Sequence, residues 1–216
     1  MKKKRSVLKF IVEGLEGLVL GPLIFLSWPI SRHFFLNWGS TQKIRNDEWI
    51  GDTLVSQPSR RNTRSIEINA SKEKIWPWIV QFGFDKAGFY SYELIERMIG
   101  ISVTNFESII EEYQKLEVGN EILLHPKTPG IPVARIELYK HICFGNESEK
   151  DSENARSWSF YIDEVDKSKC NLVVRSCVAL PKSFTKWLAI VVGEPIDFIM
   201  EQRMLRTLKM LSCRNL

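Results

Sequence analysis

The sequence has few cysteines and histidines, and they are scattered. Its four cysteines, Cys143, Cys170, Cys177 and Cys213, form no C-x-x-C pair, and its three histidines fall in different segments. Without a cysteine–histidine cluster, a thiol redox motif or a zinc site is disfavoured. We therefore expect no metal, and we interpret the cysteines as small buried apolar residues.

Other chemical signatures are missing as well. The chain contains no P-loop, no G-x-G-x-x-G, no G-x-S-x-G and no Ser-His-Asp order of the kind found in nucleophilic hydrolases. Nucleotide-dependent enzymes and such hydrolases are therefore disfavoured. We expect no cofactor.

Basic charge is missing from most of the chain. The formal net charge is +4, but five of the 30 basic residues fall within the first nine positions: Lys2, Lys3, Lys4, Arg5 and Lys9. That leaves 25 basic residues against 26 acidic ones, so the body of the protein is nearly neutral. A neutral body behind a basic tail argues against nucleic acid as a partner.

The chain also lacks a long uninterrupted apolar run, although one segment comes close. Residues 17–30 carry no charge, but a spanning helix needs ~20 apolar residues. Extending the segment back to Phe10 adds Glu13 and Glu16. These two residues share one helical face with Lys9, because the three are spaced by four and three positions.

Four interpretations of this segment stay open. As a transmembrane anchor it would leave the basic tail in the cytoplasm, and Gly17 and Gly21 would allow close helix packing in lipid. As an interfacial helix it would lie flat, with Trp28 and Trp38 near the headgroups. It could also be a secretory signal, or a helix packed on the soluble domain. We favour membrane association through this segment, and a cytoplasmic protein is the alternative.

The remaining sequence has an α+β pattern. Polar and apolar residues alternate in several short segments, and a wide apolar stripe at helical spacing occupies the C-terminal region. The pattern predicts strands at 63–69, 121–125, 133–144, 156–165 and 170–180, and helices at 74–82, 90–99, 105–113 and 182–212. Pro77 should kink or break its helix, and Pro195 should restart the last one. One antiparallel sheet would then pack against the long C-terminal helix.

We divide the chain into three parts. Residues 1–38 hold the basic tail and the apolar N-terminal helix, residues 39–62 form a polar linker, and residues 63–216 form a ligand-binding domain. Nothing in the sequence sets the oligomeric state.

Several stretches of the chain are similar to a known group of proteins. They include Trp-Gly-Ser-Thr at 38–41, Ile-Trp-Pro-Trp-Ile-Val-Gln at 75–81 and Gly-Phe-Tyr-Ser-Tyr-Glu at 88–93. From Trp38 to Met210 the sequence resembles the START-like superfamily (SRPBCC proteins, which include the birch-pollen allergen group). It looks most like bacterial members described as polyketide cyclase/dehydrase and lipid-transport-like, which often carry an apolar N-terminal segment.

This resemblance implies a helix-grip fold. In that fold a curved antiparallel sheet wraps around a long C-terminal helix, with an apolar cavity between them; here an apolar N-terminal helix would precede it. Superfamily members bind lipids, sterols or polyketides, and some are cyclases or dehydratases. The chain departs from its look-alikes at Asn120, where they usually have Asp, and in the long charged tip at 145–155.

The aromatic content points to the same cavity. Seven Trp and twelve Phe can fill a core or line an apolar pocket. We predict that the protein binds or transports a hydrophobic small molecule or lipid. The predicted ligand-binding residues are Trp78, Gln81, Phe89, Tyr90, Tyr92, Trp158, Phe160, Met200 and Met204.

Two alternative functions stay open. In an enzyme of the cyclase/dehydratase type, Tyr90 and Tyr92 would hydrogen-bond a ligand carbonyl and Glu93 would act as a base. The same three residues suit the start of a helix capped by Ser91, and this structural interpretation is favoured. In a structural or interaction domain, the aromatic residues would simply fill the core.

Arg175 is the one charged residue in an otherwise uncharged strand. Alternation places it on the face opposite Leu172 and Val174, hence outside the cavity. We expect it to form an ion pair, with Glu201 as the candidate partner.

Overall fold

The computed structural model describes residues 6–98 and 100–214. Residues 2–5 of the predicted basic tail lie outside this range, as does Ile99 at the end of a predicted helix. The described helices are α1 (Val7–Leu36), α2 (Gln42–Asn46), α3 (Lys72–Val80), α4 (Glu93–Met98) and α5 (Phe184–Ser212). The strands are β1 (Pro58–Ile68), β2 (Glu121–Ile122), β3 (Ile131–Glu137), β4 (His141–Gly145), β5 (Arg156–Asp166) and β6 (Lys169–Ala179).

The strands form one antiparallel sheet in the order β1-β6-β5-β4-β3-β2. The sheet curves around the C-terminal half of α5, where Met204, Leu205, Leu208 and Leu211 are buried in the main core. Apolar side chains on the inner face of the sheet cover this half of the helix. The chain therefore has the predicted helix-grip α+β fold, with the N-terminal apolar helix α1 beside it.

Alternation along β5 and β6 builds the inner face. Phe160 lies opposite Val174, and Ile162 lies opposite Leu172, in the antiparallel register. All four side chains are buried in the core that also receives α5. The alternating pattern of the sequence thus identifies the inner face correctly.

The predicted single strand over 133–144 is wrong, because the chain turns inside it. β3 ends at Glu137 and β4 begins at His141, and the Lys140 N–H donates to the Glu137 carbonyl with an N–O distance of 3.0 Å. Tyr139 adopts a left-handed backbone with φ +62°. Tyrosine is not a residue whose presence indicates such a turn.

Three helix predictions also need correction. The helix over 105–113 is reduced to the 3₁₀ turn Glu111–Tyr113, and the helix over 90–99 begins only at Glu93 because Tyr90 has φ +58°. By contrast, α5 is continuous through Pro195, so that residue does not restart it. A proline removes one N–H from a helical ladder, and packing of the flanking turns offsets that loss.

The linker and the sheet overlap. β1 begins at Pro58, so the last five residues of the predicted linker belong to the strand. The rest of the linker covers the outer face of the sheet. There Ile44 and Leu54 are buried against Cys143, Tyr161 and Val173.

The Trp-Gly pair after α1 is pinned to β1. The Ser65 N–H donates to the Trp38 carbonyl (3.0 Å), and Ser65 Oγ donates to the Gly39 carbonyl (2.8 Å). Gly39 has φ +74°, and a Cβ there would lie 2.0 Å from the Ser65 carbonyl oxygen. Only glycine fits this close approach, which fixes the position of the end of α1.

α1 docks on the domain through a charged face. Glu13 pairs with Arg203 of α5, Glu16 lies 3.4 Å from the same guanidinium, and Lys9 pairs with Glu107. Glu13 is buried. The face that Lys9, Glu13 and Glu16 share is therefore turned towards the protein.

The glycines of α1 pack against α4 rather than against a second α1. A Cβ at Gly14 would lie 2.8 Å from Leu94, and one at Gly17 would lie 3.0 Å from Ile95. Gly21 has nothing within 4 Å of such a position. Within this structure, the predicted Gly17–Gly21 pair thus contributes only its first member to helix packing.

The opposite side of α1 is apolar and exposed. We call Val19, Leu23, Leu26, Ile30 and Phe34 the outer face; each has more than half of its surface accessible. Among the described residues α1 is the one helix long and apolar enough to cross a membrane. Length and composition of this kind suit an anchor and also suit a helix of a soluble protein.

Candidate functional site

A cavity of about 350 Å³ lies between the inner face of the sheet and α5. Small-molecule sites occupy about 300–1,000 Å³, whereas a single water needs only ~10–15 Å³ of such space. A core filled by its own side chains would not leave this much room. The apolar part of the wall includes Phe82, Phe89, Leu124, Ile131, Trp158 and Met204.

Four of the predicted ligand-binding residues line this cavity: Phe89, Trp158, Met200 and Met204. Trp158 comes from β5, whereas the two methionines lie at i and i+4 on α5 and so share one face of that helix. Sheet and helix therefore contribute to one wall, and methionine lets it adapt in shape.

The other predicted lining residues are buried around the cavity without bordering it. Trp78 packs edge-on against Tyr90, with ring centroids 6.1 Å apart. Phe160 packs against Phe82, and their ring centroids are 5.6 Å apart. Tyr92 belongs to a separate cluster between α1 and α5.

Gln81 organises the loop beside α3. Its Nε2 donates to the Tyr90 hydroxyl (2.8 Å), and its Oε1 accepts from the Ile110 N–H (2.9 Å) and from Gln114 Nε2 (3.0 Å). Burial raises the pKa of Tyr90 well above its ordinary value. The polar atoms of Gln81 and Tyr90 are thus engaged inside the protein.

Glu93 and Tyr92 also interact with other side chains of the protein. A Glu93 carboxylate oxygen accepts from the Asn105 N–H (3.0 Å) and from Asn105 Nδ2 (3.2 Å), which ties α4 to the following loop. The guanidinium of Arg203 lies 5.3 Å from the ring centroid of Tyr92, and burial raises the pKa of Tyr92 to about 12. The trio Tyr90, Tyr92 and Glu93 therefore surrounds no common reactive space.

The cavity has a charged end that the sequence pattern did not predict. Arg60, Asn62 and Arg64 of β1 border it from the sheet, and Asp197 and Glu201 border it from α5. The three β1 residues continue the alternation of Ile66 and Ile68 towards the N-terminus. The predicted strand began at residue 63, so residues 60 and 62 were assigned to the linker and their alternation with Ile66 and Ile68 was not recognised.

The buried partner of Glu201 is Arg64. These two side chains form an ion pair, and the second carboxylate oxygen of Glu201 accepts from Trp158 Nε1 at 2.8 Å. Arg64 Nε donates to the Phe35 carbonyl (2.9 Å). The predicted Arg175–Glu201 pair is therefore wrong.

Arg175 lies on the outer face, as alternation predicted. Its guanidinium donates to the carbonyls of Arg45 (2.6 Å) and Asp47 (2.8 Å), and it lies 3.3 Å from the Asp52 carboxylate. Arg175 thus fastens the linker to the sheet and takes no part in the cavity.

Asp197 is an ionisable group at the cavity, and its pKa is raised. Burial raises the pKa of its carboxyl to about 6, although Arg60 at 3.8 Å opposes the shift. Its side chain is nevertheless 55% accessible. The solvent that reaches the side chain limits the desolvation that raises this pKa. A carboxyl of this kind exchanges a proton near neutral pH.

A second hollow lies on the outer side of the sheet, between Trp49 and Tyr161. Its rim carries the ion pair of Lys72 and Glu164, in which both side chains are about one-third or more accessible. Within residues 6–98 and 100–214, no group of three or more His, Cys, Asp or Glu side chains is arranged to hold a metal ion.

No family model matches the chain, and no curated protein matches it. Similar solved structures include a protein from Mesorhizobium loti (16% identity, TM-score 0.40, 70% of this chain and 96% of that one). Another is a protein from Thermobifida fusca, with 12% identity and a TM-score of 0.41, covering 70% of this chain and 94% of that one. A third is norcoclaurine synthase from Thalictrum flavum, with 11% identity and a TM-score of 0.39, covering 79% of this chain and 95% of that one. The fold class rests on the sheet order and the grip of α5, not on these likenesses.

Proposed function

We propose that this protein is a START-like domain that binds a hydrophobic small molecule or lipid in the cavity between the sheet and α5. The observation that carries the proposal is the cavity of about 350 Å³ with aromatic and aliphatic walls. Concave, mostly apolar spaces with a few polar groups are typical of small-molecule sites. The sequence resemblance supports the same function.

Filling the cavity tests this proposal. Val178 lines the cavity and is half-buried, so Val178→Trp should occupy part of the space. The matched control is Val165→Trp, at an exposed position of the neighbouring strand. The full chain, purified in a mild detergent, is titrated with the neutral fluorescent dye N-phenyl-1-naphthylamine.

We expect saturable dye binding in the wild type and the control, and a loss of at least tenfold in affinity for Val178→Trp. Because detergent takes up the same amount of dye in every sample, the difference between the variants reports the cavity alone. Equal binding in all three proteins would show that the dye does not enter the cavity, and the proposal would fail.

An enzyme of the cyclase/dehydratase type is the second candidate, and Asp197 is the observation that favours it. Its carboxyl borders the cavity, and its pKa of about 6 suits a general acid or base. The test is turnover of a polyketide-like β-ketone by the full chain, compared with Asp197→Asn. A wild-type rate no higher than that of the variant would exclude this role.

We further propose that the domain works at a membrane surface with α1 lying flat. The face of α1 that docks on the domain forms the ion pair between Glu13 and Arg203. If the helix left the domain to span the bilayer, both charges would lose their partner and Glu13 would enter the membrane, which is unfavourable. The outer face of α1 is apolar and unpartnered, as an interfacial helix requires.

Flotation with phosphatidylcholine vesicles tests the membrane proposal. The double variant Leu26→Glu/Ile30→Glu places charge on the outer face, and Val118→Glu/Leu138→Glu alters two exposed apolar residues elsewhere. We expect the wild type and the second variant to float and the first to remain in solution. Flotation of both variants alike would rule out the outer face as the contact.

A further inference from the structure

The charged end of the cavity is built by alternate residues of one strand. Arg60, Asn62 and Arg64 project from the same face of β1, about 6–7 Å apart along it. All three border the cavity. Asn62 is 4% exposed and Arg64 is 1% exposed, so both are more than nine-tenths buried.

Each of these three side chains keeps one buried polar atom unused. Arg60 Nε, Asn62 Oδ1 and Arg64 Nη2 have no hydrogen-bond partner among the described residues. A buried donor or acceptor without a partner costs about 1–3 kcal/mol, and more when it is charged. Three such atoms occur on one strand, in side chains that border the cavity, and they indicate a place where a ligand completes the hydrogen bonds.

The remaining atoms of the two arginines hold them in position. Arg64 uses Nη1 for Glu201 and Nε for the Phe35 carbonyl. Arg60 uses Nη1 for Glu194, at 3.3 Å. Both guanidinium groups are therefore oriented before any ligand arrives, and both residues border the cavity. Preorganised donors of this kind bind an anion without further ordering cost.

The charged side chains that border the cavity balance one another. Arg60, Arg64 and Arg156 are matched there by Glu96, Asp197 and Glu201. Partial protonation of Asp197 near neutral pH leaves an excess of positive charge, which allows one more negative group. Guanidinium groups form strong, charge-assisted hydrogen bonds with carboxylates.

We propose that the ligand is amphipathic, with a carboxylate head bound by Arg60 and Arg64 and an apolar body along Phe82, Phe89 and Met204. This inference rests on the proposed function, since it names the class of ligand for the same cavity. Asn62 lies between the two arginines, and its amide nitrogen can donate to the head, whose carboxylate oxygens accept. The aromatic end then buries the body of the ligand.

Competition between matched ligands tests the inference. N-Phenyl-1-naphthylamine bound to the full chain is displaced by decanoate, by decan-1-ol and by methyl decanoate, which share the chain length and differ in the head. We expect decanoate to compete at least tenfold better than the other two in the wild type. A charge-assisted hydrogen bond is worth about that factor.

Arg64→Lys is the matching variant, because lysine can keep the charge pair with Glu201 but lacks Nη2. The control is Arg61→Lys, on the same strand but exposed and on the opposite face. We expect Arg64→Lys to lose on the order of tenfold more affinity for decanoate than for the dye, and the control to behave as the wild type.

The outcomes separate the two proposals. If no dye binds the wild type, the cavity function itself fails. If dye binds but decanoate, the alcohol and the ester compete equally in the wild type, the carboxylate head is overturned while the cavity function stands. This comparison needs no variant, so it decides the inference even if Arg64→Lys does not fold. Equal decanoate affinity in a folded Arg64→Lys would also overturn the assignment.

Discussion

Arg64 and Arg175 occupy neighbouring strands, and each is 1% exposed. Arg64 stands opposite Val174, one position from Arg175 in the paired strand. They face opposite sides of the sheet. Arg175 meets the carbonyls of the linker, whereas Arg64 meets Glu201 and the cavity.

The difference between them shows what marks a binding site in this fold. Each arginine has one nitrogen without a hydrogen-bond partner among the described residues, Nε in Arg175 and Nη2 in Arg64. On the outer face the linker lies directly against Arg175. On the inner face Arg64 borders space for a ligand. An unpaired buried atom therefore indicates a ligand site only when its side chain borders a cavity.

Removing the outer arginine should have the largest effect on stability. Arg175→Met leaves Asp52 without its buried partner and two linker carbonyls without donors, so we expect a loss of about 3–5 kcal/mol in the free energy of unfolding. Urea denaturation of the full chain measures it. Arg61→Met, at an exposed neighbour of the same carboxylate, should cost less than ~0.5 kcal/mol. Equal losses would mean that the buried contacts of Arg175 contribute nothing.

Larger side chains on the two faces of the sheet should have the next largest effect. A Cβ at Gly51 would lie 2.3 Å from Ser159 Oγ and 2.6 Å from the Tyr161 hydroxyl, so Gly51→Ala should cost about 1–3 kcal/mol. Ser176→Val adds volume on the cavity side and should change stability by less than ~0.5 kcal/mol. The same urea experiment compares them. If Ser176→Val were as costly as Gly51→Ala, the inner face would be as tightly packed as the outer.

The pH dependence of stability should show the smallest effect. In the folded protein Asp197 keeps its proton up to about pH 6, whereas its ordinary pKa is 3.8. The stability that this provides is complete below pH 3.8 and is lost as the pH rises through 6. Asp197→Asn cannot lose it, so the variant should be more stable than the wild type at pH 7.5 and equal to it below pH 3.8.

Because the Asp197 side chain is half accessible, solvent reduces the effect to about 1 kcal/mol, or about 2–4 °C in Tm. Thermal unfolding at the two pH values measures it, with Asp151→Asn in the exposed loop as the control. A wild type that was more stable than Asp197→Asn at pH 7.5 would contradict the raised pKa.

Much of the scaffold could be predicted from local pattern. Alternation identified β5 and β6 and placed Trp158 inward and Arg175 outward, because side chains of a strand point to its two faces in turn. Where the backbone departs from the pattern, as at Tyr139, composition carried no signal, and the β3–β4 turn was missed. The start of β1 was also missed. Its first residues are polar and rich in arginine, and such a composition is typical of a linker.

Within the candidate site the division is similar. The sequence by itself determined that the chain has an amphipathic sheet, a long apolar C-terminal helix, an N-terminal apolar helix and enough aromatic residues to line a cavity. It could not determine which charges meet, because Arg64 and Glu201 are 137 residues apart and no local period links them. Only the tertiary structure, by curving the sheet around α5, brought Arg60, Arg64 and Asp197 to one end of a cavity. The physical reason is that residues far apart in the chain meet only when the sheet and the helix pack against each other.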